Sequence, residues 1–355
     1  MLITVTGATG HLGRRIVHQL SKTLSPNQIR IGAHNPSKAA ALKEAGFQVA
    51  HLDYQDPATL TPALAGSDVV VYVPSLTYSL TGRVTELENL LTAIKDANVP
   101  SIVAVSFFAD QANNPFRMAP FYAYLPPRLA GSGLNYAVIK NSLYADPLVP
   151  YLPELIERQN VIYPVGDQPM SFISQENSAE AIAKVALTPA LRDHHQTYLL
   201  SQSTSLPMTE LAAIMTKVSG HQIGYQPVSV AEFARLYREE GDGDELASMY
   251  QAGAMGLLSG TSDDFWTITG HAPTSMADFL AANYDFIASQ TRTSFIGRPP
   301  IPCNRTPVTG QENSLFLHAA HPVGFILFLI FLRLHGYRKR PLPRWQRRSC
   351  LCHIP

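Results

Sequence analysis

The chain has 355 residues, 46% of them hydrophobic, with 27 Lys and Arg against 27 Asp and Glu. That length fits one large α/β domain or two modest ones, and the composition is that of a soluble globular protein. The three cysteines, Cys303, Cys350 and Cys352, all fall near the end, so the body excludes disulfides and a thiol nucleophile.

The zero charge balance hides a break near residue 290. Residues 291–355 hold ten Lys and Arg against one acid, Glu312, whereas residues 1–290 hold 17 basic and 26 acidic side chains. The division expected is a nucleotide-binding domain over 1–150, a substrate lobe intertwined with it over 151–290, and a tail over 291–355. The tail, with its prolines and Arg clusters, reads as disordered or as a frame-shifted extension. Its apolar run Val323–Leu332 is ten residues long, too short to span a bilayer. A strand starts at Leu2 with no basic segment before it, so no signal peptide is expected and the body reads as cytoplasmic.

Leu2–Val5 reads as a buried strand. Gly7, Gly10 and Gly13 follow, and Leu12, Ile16 and Leu20 then mark a helix face. Strand, glycine turn and helix in that order form a dinucleotide-binding fingerprint. Gly7 permits the tight turn, Gly10 lets a pyrophosphate approach the backbone, and Gly13 lets helix and strand pack closely. The helix N-terminus then faces the phosphates. The cofactor-binding candidates here are Gly7, Thr9, Gly10, His11, Leu12, Gly13 and Arg14.

Strands are expected at Gln28–Ala33, Phe47–Leu52, Asp68–Val73, Ser101–Ser106, Asn135–Ile139 and Tyr198–Ser201. Helices are expected at Ser37–Ala45, Pro57–Leu64, Val84–Ala97, Gln175–Leu187, Thr209–Ser219 and Val230–Glu240. The alternation predicts an α/β, Rossmann-type doubly wound parallel sheet with a small, mostly helical C-terminal lobe. Asp242–Glu245 and Asp263–Asp264 read as solvated acidic segments. No His/Cys/Asp cluster has metal spacing, so no metal is expected.

NAD binders usually carry an acid about 20 residues after the glycines, on the ribose hydroxyl. No acid precedes Glu44 here, whereas Arg14, Arg15, Lys22, Arg30, His34, Lys38 and Lys43 do. A 2′-phosphate needs cations or N–H donors, so NADP(H) is expected over NAD(H), with Arg14, His34, Asn35 and Lys38 as its candidates. Asp53 and Tyr54 would lie beside the adenine, and Pro74 and Ser75 behind the nicotinamide ribose.

The segment Gly-Ala-Thr-Gly-His-Leu-Gly at 7–13, the basic end of strand two and Asp53-Tyr54 resemble the NmrA-like branch of the atypical short-chain dehydrogenases. Within it the chain is most similar to the type 2 quinone oxidoreductases, over about residues 1–288, including Ala130–Tyr136, Asn141 with Tyr144, and Gly270–Thr274. The resemblance implies NADPH, a small-molecule substrate and a homodimer, with no nucleic acid and no membrane span. The usual Tyr-x-x-x-Lys of short-chain dehydrogenases is missing. Tyr136 and Lys140 have the spacing, but on a strand it does not bring side chains together. A quinone can take hydride by proximity, without a demanding proton donor. Ser106 and Phe107 would flank the nicotinamide. Lys140, Asn141 and Tyr144 would touch cofactor or substrate, and Phe121, Tyr122 and Tyr124 would form an apolar wall. The catalytic candidates are thus Lys140, Tyr144 and Tyr122. Two alternatives stay open: an NADP-sensing regulator acting through a protein partner, and an isomerase, which normally needs the dyad.

Overall fold

A computed structural model describes residues 1–238 and 243–284. The tail over 291–355, Glu239, Glu240 and Asp242 lie outside the described residues.

The chain alternates strand and helix through its first half. β1 (Ile3–Val5), α1 (His11–Ser21), β2 (Ile29–Ala33), α2 (Ala40–Glu44), β3 (Gln48–His51), α3 (Pro57–Leu64), β4 (Val69–Tyr72), α4 (Leu80–Asp96), β5 (Ser101–Phe107), α5 (Ala119–Ala130) and β6 (Asn135–Asn141) follow in order. Then come β7 (Leu143–Tyr144), α6 (Leu148–Arg158), β8 (Asn160–Val161), β9 (Phe172–Ile173), α7 (Gln175–Leu187), α8 (Pro189–Arg192) and β10 (Gln196–Leu200). A mostly helical lobe closes the fold: α9 (Met208–Ser219), β11 (Gly224–Tyr225), α10 (Val230–Leu236), α11 (Gly243–Ala254), α12 (Asp264–Thr269) and a helix over 276–284.

Seven strands form one parallel sheet in the order β10-β6-β5-β4-β1-β2-β3. The winding direction reverses between β1 and β4, and doubly wound sheets bind ligands at the carboxyl ends of the strands there. Both faces are covered, which is why β4 is apolar and buried at every position. On one face Ile3, Val5, Val71 and Val103 pack under α1 and α7. On the other Val70, Tyr72, Ile102 and Ala104 pack under residues of α3, α4 and α5. β10, although late in the chain, joins this sheet beside β6.

Three departures from the sequence reading have physical reasons. The helix over 119–130 is not among the expected elements, and it holds Pro120, Pro126 and Pro127, which remove backbone donors. The helix forms because Phe121, Leu125 and Leu129 recur every four residues and are buried. α4 starts at Leu80 rather than Val84, since the Ser79 hydroxyl accepts from the Gly82 N–H and caps it. Asp264 is not a solvated acid: its Oδ2 accepts the Leu199 N–H at 2.7 Å and closes the outer edge of β10.

The segment after α12 is tied back by His271, whose Nε2 lies 2.8 Å from Glu180 on α7. The hydrogen bond to Glu180 is the main reason the imidazole pKa is raised. A raised folded-state value means that this pair stabilises fully below the unfolded pKa and loses its effect as pH rises through the folded one. The ring is half exposed, so the effect should not exceed about 1 kcal/mol. His271→Gln should therefore melt below the parent protein at pH 5.5, with the gap closing by pH 8, in thermal unfolding followed by circular dichroism.

Candidate active site

The glycine turn at the end of β1 is set by backbone constraints. Gly7 has φ +59°, the left-handed region that other residues avoid. A Cβ on Gly13 would stand 2.3 Å from the Gly7 carbonyl oxygen and 2.7 Å from the Ala8 Cα. A Cβ on Gly10 would meet only the Gly7 oxygen, at 3.2 Å. Gly13 thus sets the packing of α1 on the turn, while Gly10 keeps the outer side open. Gly10 is the extended N-cap of α1, with no side-chain cap and no acid in the first turn. Such a terminus accepts a phosphate through its N–H groups and dipole. Gly7, Gly10 and His11 are exposed and Thr9 is partly so. Leu12 is buried, which leaves only its backbone for a ligand. Thr6, which the sequence reading passed over, staples the switch point: its hydroxyl donates to the Val71 carbonyl and accepts the Val73 N–H at 2.9 Å.

Arg14 in the first turn of α1, and His34, Asn35 and Lys38 after β2, are all exposed. Asn35 is partly committed, its Oδ1 accepting from the Ser37 N–H and hydroxyl. Two cations of this segment are occupied elsewhere. Arg30 donates to the Ala63 and Ala65 carbonyls, and Arg15 pairs with Asp146 and Glu176. Asp53 lies 3.1 Å from His34, so an acid distant in sequence is brought to the end of β2. Spacing along the chain could not reveal that.

The segment after β4 is held from below. The Tyr54 hydroxyl donates to the Val73 carbonyl at 2.8 Å, its ring edge-on to Tyr72. Glu86 of α4, 3% exposed, accepts from the Ser75 hydroxyl, the Thr77 hydroxyl and the Gln55 amide. Arg83, one turn earlier and 6% exposed, donates to the Thr77 carbonyl at 2.6 Å. Ser75 and Thr77 face α4, while Leu76 and Tyr78 are exposed at 86% and 56%. Pro74 is half-buried.

At the carboxyl ends of β5 and β6 the aromatic residues gather. Phe107 meets Phe116 and Tyr122 edge-on, and Tyr122 stacks on Phe116 at 14°. The Tyr122 hydroxyl accepts from Arg83 at 3.0 Å. At the ends of these strands, on opposite faces of the sheet, the buried Ser106 hydroxyl and the Asn141 side-chain amide nitrogen have no hydrogen-bond partner, as is also true of the buried Ser142 and Ser171 hydroxyls. Asn141 Oδ1 accepts from Ser178 of α7. Tyr144 is close to Ser178, and burial pushes its phenol well above the ordinary value, so it stays protonated.

The structure separates the remaining candidates. Phe121 is fully buried beneath the Arg83 guanidinium, in the core rather than in a wall open to substrate. Tyr124 lies two residues, or about 200°, round α5 from Tyr122. It donates to Glu88, which Arg128 also grips at 2.7 Å, holding that carboxyl below its usual range. Lys140 and Asn141 point to opposite faces, as neighbours on a strand must. Lys140 pairs with Asp110 at 2.5 Å, in a cavity of about 300 Å³ lined by Thr197 and Leu199 of the edge strand. Tyr136 stacks on His195 at the other end of β6, so the four-residue spacing makes no dyad. Phe116 and Arg83 were missed. Arg83 heads the buried stripe Arg83, Leu87, Leu90, Leu91, Ile94, a pattern visible only once α4 starts at Leu80.

An uncapped helix N-terminus with no acid in its first turn, and a turn that tolerates no side chain at Gly13, fit the pyrophosphate of a dinucleotide laid across the switch point. Fold and cradle together define a Rossmann-type, nicotinamide-dependent oxidoreductase. The model of the NmrA-like family matches residues 1–256, and the chain belongs to that family. Quinone oxidoreductase 2 of Escherichia coli is 32% identical over 285 residues, covering 79% of this chain and 98% of its own. A structure of the Escherichia coli NADPH-dependent quinone oxidoreductase with NADPH is similar at TM-score 0.74 and 30% identity, over 80% of this chain and all of that one. A Staphylococcus aureus structure described as a nucleoside-diphosphate-sugar epimerase reaches TM-score 0.75 at 38% identity, over 79% and 100%. The triphenylmethane reductase of Citrobacter sp. with NADP(H) reaches 0.74 at 27% identity, over 80% and 100%. No helix among the described residues is long and apolar enough to cross a membrane.

Proposed function

We propose that this protein transfers hydride from NADPH to a quinone or a similar small electrophile. The observation that carries the reading is the cluster of aromatic rings of Phe107, Phe116 and Tyr122, at the same end of the sheet as the glycine turn. Flat rings stack on flat rings, so the partly exposed edge of this cluster suits a planar acceptor. When bound, the reduced nicotinamide supplies the hydride. The protein's own residues position and enclose. The α1 terminus takes the pyrophosphate, Asp53 and Tyr54 border the adenine, Pro74 and Ser75 the ribose, and Ser106 and Phe107 at the end of β5 flank the nicotinamide. Holding donor and acceptor face to face is the main contribution to rate. Epimerase chemistry has less support, since Tyr136 and Lys140 lie at opposite ends of β6.

NADPH oxidation by the full chain, followed by absorbance with a panel of benzoquinones and naphthoquinones, tests this directly. Turnover is expected. Tight NADPH binding with no turnover across the panel would overturn it and favour the sensing regulator.

The preference for NADP(H) rests on Arg14, His34 and Lys38, and it faces Asp53 as an opposing charge. The double change Arg14→Glu with Lys38→Glu should weaken NADPH binding about a hundredfold while NADH binding changes by less than about threefold. Cofactor fluorescence titration measures both. Equal losses for the two cofactors would remove these residues from the phosphate.

A further inference from the structure

We propose that Arg83 and Tyr122 replace the missing Tyr-x-x-x-Lys pair, with Arg83 fixing the Tyr122 hydroxyl so that its proton is delivered to the oxygen of the acceptor. The inference rests on the oxidoreductase reading and goes further, because it gives the site a proton donor that proximity alone does not supply.

Arg83 is nearly fully buried, and among the described residues no carboxylate lies within ion-pair distance of it. The nearest acid on its helix, buried Glu86 three residues on, is joined to it only through Thr77, whose hydroxyl donates to Glu86 and whose carbonyl accepts from Arg83. A desolvated guanidinium needs every donor it can place to be accepted. Here it is held by the Thr77 carbonyl, the Tyr122 oxygen, and the Phe121 and Tyr122 rings, at 5.7 and 5.9 Å from their centroids. A guanidinium can only donate, so the Tyr122 oxygen is an acceptor in that bond. The single phenolic proton must then point elsewhere. Tyr122 is partly exposed, and its ring meets edge-on that of Phe107, the last residue of β5. Arg83 also donates to the segment after β4, so one side chain sets both the proton donor and the wall opposite.

The step balances simply. The acceptor gains a hydride, which is one hydrogen with two electrons. Its oxygen gains a proton as the Tyr122 O–H bond breaks. The tyrosinate left behind is stabilised by the adjacent Arg83 cation and recovers a proton from water. Tyr122 is the catalytic residue in this scheme and Arg83 the positioning residue.

The test uses two acceptors that differ in proton demand. A quinone needs a proton on oxygen. A cationic triarylmethane dye takes hydride at carbon, is neutralised by it and needs no proton. The full-length parent, Tyr122→Phe, Arg83→Gln and Arg83→Lys are compared with NADPH and each acceptor. In Tyr122→Phe and Arg83→Gln the ratio of quinone rate to dye rate should fall at least about tenfold, with Arg83→Lys between them and the parent. A second readout needs no turnover. 4-Nitrophenolate, whose oxygen mimics the acceptor's developing charge, should bind the cofactor-free parent with a shift in its absorbance. Its affinity should drop about tenfold in the first two variants. Equal slowing with both acceptors and unchanged nitrophenolate binding would overturn the inference and leave Arg83 a packing residue. If the parent reduces neither acceptor, it is the oxidoreductase reading that fails.

Discussion

Replacing Gly13 with alanine is expected to abolish NADPH binding and to lower the unfolding temperature by on the order of 10 °C. The added methyl would sit 2.3 Å from a carbonyl oxygen and 2.7 Å from a Cα. These are backbone atoms and cannot rotate aside, so α1 must move away from the turn. Overpacking of this kind costs about 2–4 kcal/mol. The helix terminus shifts with the helix, and the phosphate-binding N–H groups go with it. Gly10→Ala separates the two effects. Its methyl meets only the Gly7 oxygen at 3.2 Å, and a shift of a few tenths of an ångström relieves that. Gly10→Ala should keep nearly the parent melting temperature yet lose at least about a hundredfold in NADPH affinity, because the methyl occupies the side from which a pyrophosphate approaches. Differential scanning calorimetry and cofactor titration read the two quantities independently. If Gly10→Ala binds NADPH as the parent does, the turn is not the phosphate site.

The second large effect is expected at Glu86. Glu86→Ala removes the acceptor of three donors at once: the Ser75 and Thr77 hydroxyls and the Gln55 amide. It also leaves Arg83 in the same buried layer with one fewer polar neighbour. Stranding buried donors costs about 1–3 kcal/mol for each group that finds no water. A net loss of about 2–5 kcal/mol follows, concentrated in the segment 74–79. Hydrogen exchange should quicken there before it quickens in β4. NADPH-dependent turnover should fall about tenfold as the wall beside the nicotinamide loosens. Glu86→Gln keeps one acceptor oxygen and should recover roughly half of the stability. A uniform rise in exchange across the sheet would assign Glu86 to global stability instead.

Much of the fold was legible because its signals are local. The glycine turn, the apolar run at β4 and the recurrence of Leu12, Ile16 and Leu20 each depend on residues within one or two turns of chain. The candidate site was legible at the phosphate end for the same reason. The acceptor end was not. Whether an aromatic residue faces a site depends on its angle round a helix, and α5 was not among the expected elements. Phe121, Tyr122 and Tyr124 thus read as one wall, although they face the core, the ring cluster and a surface ion pair. The ion pair of Lys140 escaped by a different cause: its partner Asp110 lies on the connection after β5, and no spacing rule links the two. Arg83 and Glu86 escaped because charged residues on a buried face contradict the pattern used to find helices. Such contradictions mark positions where a side chain has work beyond packing.

The position of β10 bears on how the protein is made. β6 ends at Asn141, its sheet neighbour begins only at Gln196, and the Asp264 bond that shields the outer edge of β10 comes later still. At about 5–20 residues per second, a ribosome emits the first six strands of the sheet several seconds before the seventh. For that interval β6, with Tyr136, Ala137, Val138 and Ile139 at its centre, presents an unpaired edge, and β10 does the same until residue 264 has emerged. Nascent chains caught in this window, and truncated products ending before it closes, are the species with the greatest tendency to pair edge to edge with one another.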